Sequence, residues 1–228
     1  MSECPACGKT FKQVAQHWRG SPEHRPSLSD EQYQVAVGLV MGDGHVNATS
    51  KNPRLNVNMI NREYLEHLDN IFGILSRGVS IKSTAEQAAK YDKSNGWNKG
   101  AKAENYHDKY RFTTSTHPDF KELRKWYDSG AKLWPEDLEL TPLVLKHWYV
   151  GDGTFTQQGQ IRISMVKEKE NKDKVASYFS KAGLPEMNGW TEFGESRCSA
   201  IWNQSEAEEL FEYMGEPVDG FKYKWPEQ

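Results

Sequence analysis

Long apolar runs are missing from this sequence, and so is any excess of positive charge. Hydrophobic residues make up 36% of the 228 residues, mean hydropathy is −0.83 and the net charge is −3. A membrane helix needs roughly 20 apolar residues in a row, so the composition predicts a soluble protein with no membrane partner. An acidic balance gives no general attraction to nucleic acid, so any such surface must come from local clusters of Lys and Arg. The N-terminus has no features of a secretion signal, which predicts an intracellular protein, cytoplasmic in a prokaryote.

Cysteine is also scarce, with three residues in the chain and two of them in Cys4-Pro-Ala-Cys7. Three cysteines are too few for a disulfide framework, which favours a reducing compartment. With His17 and His24 the pair forms C-x2-C-x9-H-x6-H, a ligand set typical of tetrahedral zinc and similar to a C2H2 finger with different spacing. A segment this short buries too little surface to fold unaided, so Zn²⁺ would supply its folding free energy. The alternative is an unstructured basic tail; in both cases residues 1–26 form a separate N-terminal module.

One pattern occurs twice in the remaining chain. Val35 to Val46 reads VAVGLVMGDGHV, and Leu143 to Phe155 reads LVLKHWYVGDGTF. Each copy is an apolar run with helical spacing that ends in Gly-Asp-Gly before a run typical of a strand. The two aspartates, Asp43 and Asp152, are 109 positions apart (152 − 43 = 109), which is about half of the chain. The repetition predicts a duplicated structural unit.

The position of these aspartates predicts a cation site. A helix C-terminus carries partial negative charge, so a carboxylate there needs a compensating cation. If the two helices lie side by side, Asp43 and Asp152 meet at one end, and like charges that close require a counter-ion. Oxygen ligands of this kind suit Mg²⁺ or Ca²⁺. A lone Gly-Asp-Gly is typical of a simple turn, but two copies in the same setting favour the metal site.

The two motifs resemble those of the LAGLIDADG homing endonucleases, in the form that carries both motifs in a single chain. Gly38 to Gly44 and Leu145 to Gly153 align with the family pattern, and the resemblance runs over most of the chain after Ser29. It implies an α+β fold in which residues 27–137 and 138–228 form two αββαββα repeats. The repeats would be related by a pseudo-twofold axis, with strands that straddle the major groove of DNA.

The resemblance also implies roles for individual residues. The divalent-metal site falls on Asp43 and Asp152 with the adjacent Gly42 and Gly151. The first aspartate of the family signature is replaced by Met41 and Val150, and His147 stands where a small helix-contact residue is usual, which leaves the closeness of helix packing open.

Further positions carry over from outside the two motifs. A basic residue near the metal falls on Lys132 and Lys224, and a polar residue at a strand end falls on Asn61 and Lys167. For each lysine an ordinary surface role is the alternative. DNA contacts are expected from polar and basic strand or hairpin positions: Asn47, Lys51, Arg54, Asn56, Asn58, Lys82, Arg111, Gln157, Gln160 and Arg162. A solvated sheet face is the alternative for these residues.

The activity implied by the resemblance is cleavage of double-stranded DNA at a long, nearly asymmetric target. Hydrolysis would use Mg²⁺ or Mn²⁺, with Ca²⁺ as a non-cleaving substitute, in a monomeric, intron-encoded or free-standing enzyme. The alternative function is non-cleaving DNA or RNA binding on the same fold, as a splicing cofactor or a regulator. Three local predictions accompany these. Ser29 with Gln32 forms a capping box at the first central helix, which runs to about Met41. Residues 85–109 are a lysine-bearing polar insertion, a flexible arm or a solvated excursion, and Ser205 with Glu208 caps the last helix.

Overall fold

The computed structural model describes residues 1–47, 52–127, 132–194 and 197–226, without the side chains of Lys167, Phe193 and Arg197. The chain groups into two compact units. The first unit consists of Met1–Ser27 with Arg54–Thr116, and the second consists of Leu28–Pro53 with His117–Gln228. Within the described residues, no helix is both long enough and apolar enough to span a lipid bilayer.

Helices and strands follow one another in the same order twice. The helices are α1 Val14–Gly20, α2 Asp30–Met41, α3 Arg62–Phe72, α4 Ala85–Ser94, α5 Phe120–Lys125, α6 Pro142–Asp152, α7 Lys172–Lys181 and α8 Gln204–Met214. The strands are β1 Ser2–Glu3, β2 Thr10–Phe11, β3 His45–Val46, β4 Leu55–Met59, β5 Ser76–Ser83, β6 Lys109–Thr114, β7 Gly153–Phe155, β8 Ile161–Ser164, β9 Gly189–Phe193 and β10 Arg197–Trp202. Apart from the inserted α4, the order αββαββα runs from α2 to α5 and again from α6 to α8.

The second unit is built on the pair α2 and α6, whose starts are fixed by local chemistry. Ser29 and Gln32 form a reciprocal capping box at α2, as predicted. At α6 the Thr141 hydroxyl accepts a hydrogen bond from the Val144 N–H at 3.3 Å, and Pro142 occupies the first helical position. Residues 35–41 of α2 are all buried, so this helix has no solvated face in its last two turns.

A sheet with strand order β7–β8–β10–β9 completes the second unit. Ile161 and Ile163 of β8 are buried, while Arg162 between them lies on the opposite face. On the buried side the Trp148 ring of α6 meets the Trp134 ring edge-on at 5.0 Å, and the rings of Phe179 and Trp202 lie 4.8 Å apart. Aromatic side chains of this size each bury a large apolar area in the core of the second unit.

The first unit places α3 against strands β4, β6 and β5, which neighbour one another in that order. The alternation of Leu55-Asn56-Val57-Asn58-Met59 sends its apolar side chains into the core and its asparagines to the other face. Phe72 of α3 and Phe112 of β6 meet there with ring centroids 5.5 Å apart.

The predicted polar insertion contains a helix. Helix α4 begins after a capping box formed by Thr84 and Gln87, and the Ala85 N–H donates to Asp108 at 2.9 Å. Within α4 the buried residue is Ala89. The start of α8 also differs from the prediction. Its N-cap is Asn203, so Ser205 lies inside the helix and does not cap it.

Candidate active site and nucleic-acid interface

Helices α2 and α6 touch backbone to backbone, because glycine stands at the contact points. A Cβ placed on Gly38 would lie 2.9 Å from the Cβ of His147 and 3.2 Å from the backbone N of Trp148, and closer still to the Val144 carbonyl oxygen. One turn later, a Cβ on Gly42 would lie 3.4 Å from the Cα of Gly151. The buried His147 is therefore accommodated by the absence of a side chain on Gly38.

The contact preserves the sequence offset of the two motifs. Gly38 faces His147 and Gly42 faces Gly151, and both pairs differ by the same 109 positions that separate Asp43 from Asp152. The helices therefore run in the same direction and end side by side. The backbone N of Asp43 would lie 3.1 Å from a Cβ on Gly151, and Asp152 Oδ2 would lie 3.8 Å from a Cβ on Gly42. The structure thus brings the two aspartates together at the C-termini of the two helices.

The electrostatics of Asp152 reflect this position. Burial, followed by the negative charge of Asp43, raises the pKa of Asp152 to about 7, against the opposing charges of Lys132 and Lys224. A carboxyl that is hard to ionise in the absence of a cation is a group that a bound cation would stabilise in its charged form. Asp43 is solvent-exposed, so the two acids of the pair have unequal surroundings.

Two lysines neutralise the helix ends that carry the aspartates. Lys132 Nζ donates to the carbonyl oxygens of Met41 and Gly42 at 3.2 and 2.8 Å, at the end of α2. Lys224 Nζ donates to those of Val150 and Gly153, both at 2.7 Å, at the end of α6. The last carbonyls of a helix lack partners inside it, so each ammonium offsets the negative end of one helix.

Burial also affects the pKa values of these two lysines. Desolvation lowers the pKa of Lys132 and of Lys224, and the carboxylates of Asp43 and Asp152 oppose that shift. Gly42 and Gly151 were both expected at the metal site. The Gly42 carbonyl accepts a hydrogen bond from Lys132, and Gly151 lies against Gly42 in the helix contact.

Glu168 is a site residue that the sequence did not indicate. It is 1% exposed and lines a cavity of about 220 Å³ with Asp152 and Lys132. Its Oε2 accepts a hydrogen bond from Asn171 at 3.1 Å and lies 3.3 Å from Lys174 Nζ, but its Oε1 is buried and has no hydrogen-bond partner among the described residues. An orphaned carboxylate oxygen beside Asp152 fits a site that holds a hard cation through oxygen ligands.

Two other predicted site residues lie in different settings. Asn61 belongs to the first unit and is the N-cap of α3, where its side chain accepts from the Tyr64 N–H at 3.0 Å. Lys167 lies in the short 3-10 helix Val166–Asn171, and its side chain is outside the described part of the chain.

One face of the sheet in the first unit carries amide, hydroxyl and cationic side chains. Asn56 stands opposite Thr113 and Asn58 opposite Arg111, with hydrogen bonds of 3.1 and 3.0 Å between the side chains. Partial burial, then the charges of Lys109 and Arg111, lowers the pKa of Lys82 beside them. Asparagine amides next to crowded cations match the mixture of base and phosphate contacts found at DNA interfaces. Lys51 lies outside the described residues.

The second unit has a similar polar face on β8. Arg162 donates to the Gln160 side chain at 3.0 Å, and Gln160 donates in turn to Asn203 at 3.0 Å. The Nε of Arg162 is buried and has no hydrogen-bond partner among the described residues. Gln157 is exposed in the turn between β7 and β8, and Asn47 is partly exposed just after β3. An interlinked Gln and Arg pair holds donors and acceptors in fixed positions for a ligand on this face.

The four predicted zinc ligands cluster in the N-terminal module. Their ligand atoms all lie within 4.8 Å of one another, with Cys7 Sγ 3.6 Å from His17 Nε2 and His17 Nε2 2.9 Å from His24 Nδ1. Tetrahedral zinc with bonds of about 2.0–2.3 Å places its ligands about 3.3–3.8 Å apart, so shifts of about 1 Å or less would bring the four ligand atoms to the spacing of such a site.

The hairpin of the module supports this arrangement. Gly8, with φ of 67°, turns the chain between the cysteine segment and β2, and its N–H donates to the Cys4 carbonyl at 2.8 Å. Burial of the Cys4 thiol acts to raise its pKa, but hydrogen bonds to the sulfur outweigh that effect and the pKa of Cys4 is lowered. A thiolate is the form that binds metal.

Comparison with solved structures shows the fold. The chain is similar to the homing endonuclease I-WcaI bound to its DNA recognition sequence, with a TM-score of 0.72 and 16% identity over 96% of this chain and 95% of that one. For I-DmoI in complex with DNA and Ca, the TM-score is 0.50 and the identity 11%, over 85% of this chain and 95% of that one. For full-length DUF199/WhiA from Thermatoga maritima, the TM-score is also 0.50 and the identity 11%, over 94% of this chain and 64% of that one. The predicted α+β homing endonuclease fold is confirmed.

Comparison with curated proteins identifies distant relatives by sequence. RecA of Mycobacterium shimoidei is 29% identical over 138 residues, which are 57% of this chain and 27% of that protein. RecA of Mycolicibacterium fallax is 30% identical over 142 residues, 58% and 28% of the two proteins. An uncharacterized protein of Methanocaldococcus jannaschii is 42% identical over 52 residues, which are 22% of this chain and 20% of that protein. The chain therefore spans less than a third of the length of each of these relatives.

The match to a family model is broader. The LAGLIDADG DNA endonuclease family model covers residues 33–184, more than half of the chain and both Gly-Asp-Gly motifs. This chain therefore belongs to the LAGLIDADG DNA endonuclease family.

Proposed function

We propose that this protein is a monomeric, site-specific endonuclease that hydrolyses both strands of duplex DNA with the help of divalent cations. The observation that carries the proposal is the paired helix ends, where Asp43 and Asp152 meet and Lys132 and Lys224 bind the adjacent carbonyls. Membership of the LAGLIDADG family, and the fold shared with DNA-bound I-WcaI, support it. Because one chain carries two unequal halves, residues 27–137 and 138–228, we propose a long target that is only loosely palindromic.

The residues of the site divide the work of hydrolysis among them. Asp43 and Asp152 would hold Mg²⁺ or Mn²⁺, with Glu168 as a further acidic group beside Asp152. Such cations activate water, neutralise the scissile phosphates and stabilise the leaving oxygen. Lys132 and Lys224 hold positive charge at fixed positions where negative charge develops on the phosphate, and their partial burial strengthens that interaction. The polar faces of β4 with β6 and of β8 would supply base and backbone contacts.

A selection experiment tests the proposal. The full-length protein is incubated with a library of long random duplexes and Mg²⁺, and the ends of cut molecules are sequenced. We expect double-strand breaks within one target family, none with EDTA, and binding without cleavage in Ca²⁺. The Asp43→Asn variant should bind the recovered target in Ca²⁺ but cut it about 100-fold to 1,000-fold more slowly. Duplexes that are bound but never cut in Mg²⁺ or Mn²⁺ would establish non-cleaving nucleic-acid binding instead.

We further propose that Cys4, Cys7, His17 and His24 hold one structural Zn²⁺ in residues 1–26. The proposal rests on the size of the cluster and on the small core of the module, in which Val14 and Trp18 of α1 are buried together with Cys4. So small a core cannot stabilise the module alone, whereas zinc can contribute about 10 kcal/mol to the folding of a small domain.

Zinc analysis of purified variants tests this site. The parent should contain about one zinc per chain, and Cys4→Ser should contain almost none, because a hydroxyl does not replace a thiolate ligand. Cys198→Ser is the matched control, since Cys198 is a buried cysteine of β10 in the other unit. It should retain the metal. A parent purified without chelator that contains no zinc and takes none up would leave the module as a basic arm.

A further inference from the structure

We propose that a cationic cleft beside the N-terminal module binds phosphates of the DNA backbone, an addition to the contacts made by the sheets. The inference rests on the proposed DNA-binding function. The cleft, called here the module cleft, has a volume of about 370 Å³ and lies entirely within the first unit. Lys12 and Arg19 line it from the module, and Arg54 and Arg77 line it from the neighbouring strand ends.

The lining of the module cleft is suited to an anion. Of the described residues that line it, four have cationic side chains and none has an acidic one, in a chain whose net charge is −3. Among the described residues, none of the four cations forms an ion pair with a carboxylate. The other polar lining is neutral, with hydroxyls from Ser115 and Thr116. Unpaired cations grouped in a concave site create the local positive potential that attracts phosphate.

Arg54 contributes the most specific observation. It is half-buried, and its Nε is shielded from solvent without a hydrogen-bond partner among the described residues. The backbone around it is already satisfied, since the next N–H, of Leu55, donates to Thr114 Oγ1 at 3.0 Å. A buried donor left unpaired costs free energy, and a phosphate oxygen in the cleft would satisfy it.

Arg77 is presented by an irregular stretch of β5. The pairing of β5 with β6 shifts register between Ser76 and Val79, and Gly78 has φ of 84°. The Ser76 hydroxyl donates a hydrogen bond to Asp69 and accepts one from the Gly78 N–H at 2.8 Å. These bonds engage Asp69, which does not line the cleft, and they fix the bulge that exposes Arg77.

The position of the cleft argues for DNA as the occupant. It lies where β4 and β5 begin and β6 ends, and the opposite end of the same strands carries Lys82 and Lys109. Between these ends the polar face carries neutral side chains, such as Asn56, Asn58 and Thr113, and the cation Arg111. Amide and hydroxyl groups between two groups of cations match a duplex whose bases lie centrally and whose backbones lie at the margins.

The experiment measures binding of the selected target duplex in Ca²⁺ as a function of salt. The Arg19→Gln/Arg77→Gln variant should bind about tenfold more weakly at about 0.15 M salt, and its slope of log K against log salt should shrink by about one to two, because two phosphate contacts are lost. The matched control is Lys121→Gln/Lys125→Gln, which removes the same charge from exposed positions of α5. It should bind within about twofold of the parent with an unchanged slope.

Each outcome bears on the inference. An unchanged zinc content and an unchanged unfolding midpoint would show that the Arg19→Gln/Arg77→Gln variant is folded. If either changes, the Lys12→Gln/Arg77→Gln variant is measured instead, with the same expected loss of affinity and of slope. If the parent cleaves DNA and the variant keeps the parent's affinity and slope, phosphate binding in the module cleft is disproved and the proposed function stands. A parent that binds no duplex would overturn both.

Discussion

Asp152→Asn is expected to slow cleavage strongly and, at the same time, to stabilise the metal-free protein above neutral pH. The first effect follows from the loss of a cation ligand and should slow cleavage about 1,000-fold. The second follows from the surroundings of the carboxyl, which burial and Asp43 make costly to ionise. A residue that costs stability and supplies chemistry is the signature of a functional site.

The direction of the pH effect is fixed by the raised pKa. Asp152 has an ordinary pKa of 3.8 and a folded pKa of about 7. Between these values the unfolded chain loses the proton first, so the stability of the metal-free protein falls as pH rises, and the loss is complete above pH 7. Asparagine removes this loss. One pKa unit corresponds to about 1.4 kcal/mol, so denaturant unfolding in EDTA should show a gain of up to about 4 kcal/mol at pH 8 and almost none near pH 3.5.

Calcium provides the control for this prediction. Added Ca²⁺ should stabilise the parent at pH 8, because it binds the folded state through the ionised carboxylates, and should stabilise Asp152→Asn much less. A variant that is less stable than the parent at pH 8 in EDTA would contradict the raised pKa of Asp152.

Gly38→Ala is expected to destabilise the second unit by about 3 kcal/mol or more. In an ordinary helix interior this substitution stabilises by about 0.5–1 kcal/mol, so the predicted sign is reversed. The reason is the contact with α6, where the new methyl group would meet backbone atoms of Val144 and Trp148 that belong to a buried helix and cannot rotate away. The two helices would have to separate, which would also move Asp43 relative to Asp152.

Denaturant unfolding and cleavage assays measure both consequences. Gly189→Ala is the matched control, because Gly189 lies in the same unit and no atom lies within 4 Å of a Cβ placed there. Its stability should remain within about 1 kcal/mol of the parent. Equal stability of Gly38→Ala and the parent would show that α2 and α6 are not held at backbone contact.

The features that the sequence predicted best are those that depend on residues close together in the chain. The capping box of Ser29 and Gln32 and the end of α2 at Met41 were both predicted, because caps and helix-ending glycines act within one turn. The sequence also predicted the duplication, because the offset of 109 positions between the two motifs is the offset between contacting residues of α2 and α6.

Helix α4 was missed because its stabilisation is almost entirely local. With Ala89 as its buried residue it has no apolar stripe, so periodicity gave no signal. The pair Thr84 and Gln87 was the available sign, as a capping box three residues apart. At α8 the opposite error occurred, because Ser205 and Glu208 have the right spacing but the helix already begins at Gln204.

Glu168 and His147 show the limit set by tertiary structure. In the sequence Glu168 belongs to the charged run Lys-Glu-Lys-Glu, which is typical of a solvated face, yet Lys174 and Asn171 hold it in the interior. His147 left the closeness of the helices open, and the answer lay in Gly38, a residue far away in the chain. Neither pairing follows from local pattern, because both depend on which segments the fold brings together.

The attachment of Lys224 has a consequence for the order in which the protein is made. Lys224 binds carbonyls 71 and 74 residues earlier in the chain, and its own carbonyl accepts from the Tyr149 hydroxyl at 2.6 Å. Asp43, Lys132 and Asp152 all precede this segment in the chain, so they are synthesised before the second ammonium group. The end of α6 therefore acquires its cation only after residues more than 70 positions further along the chain have been made and have folded back onto it.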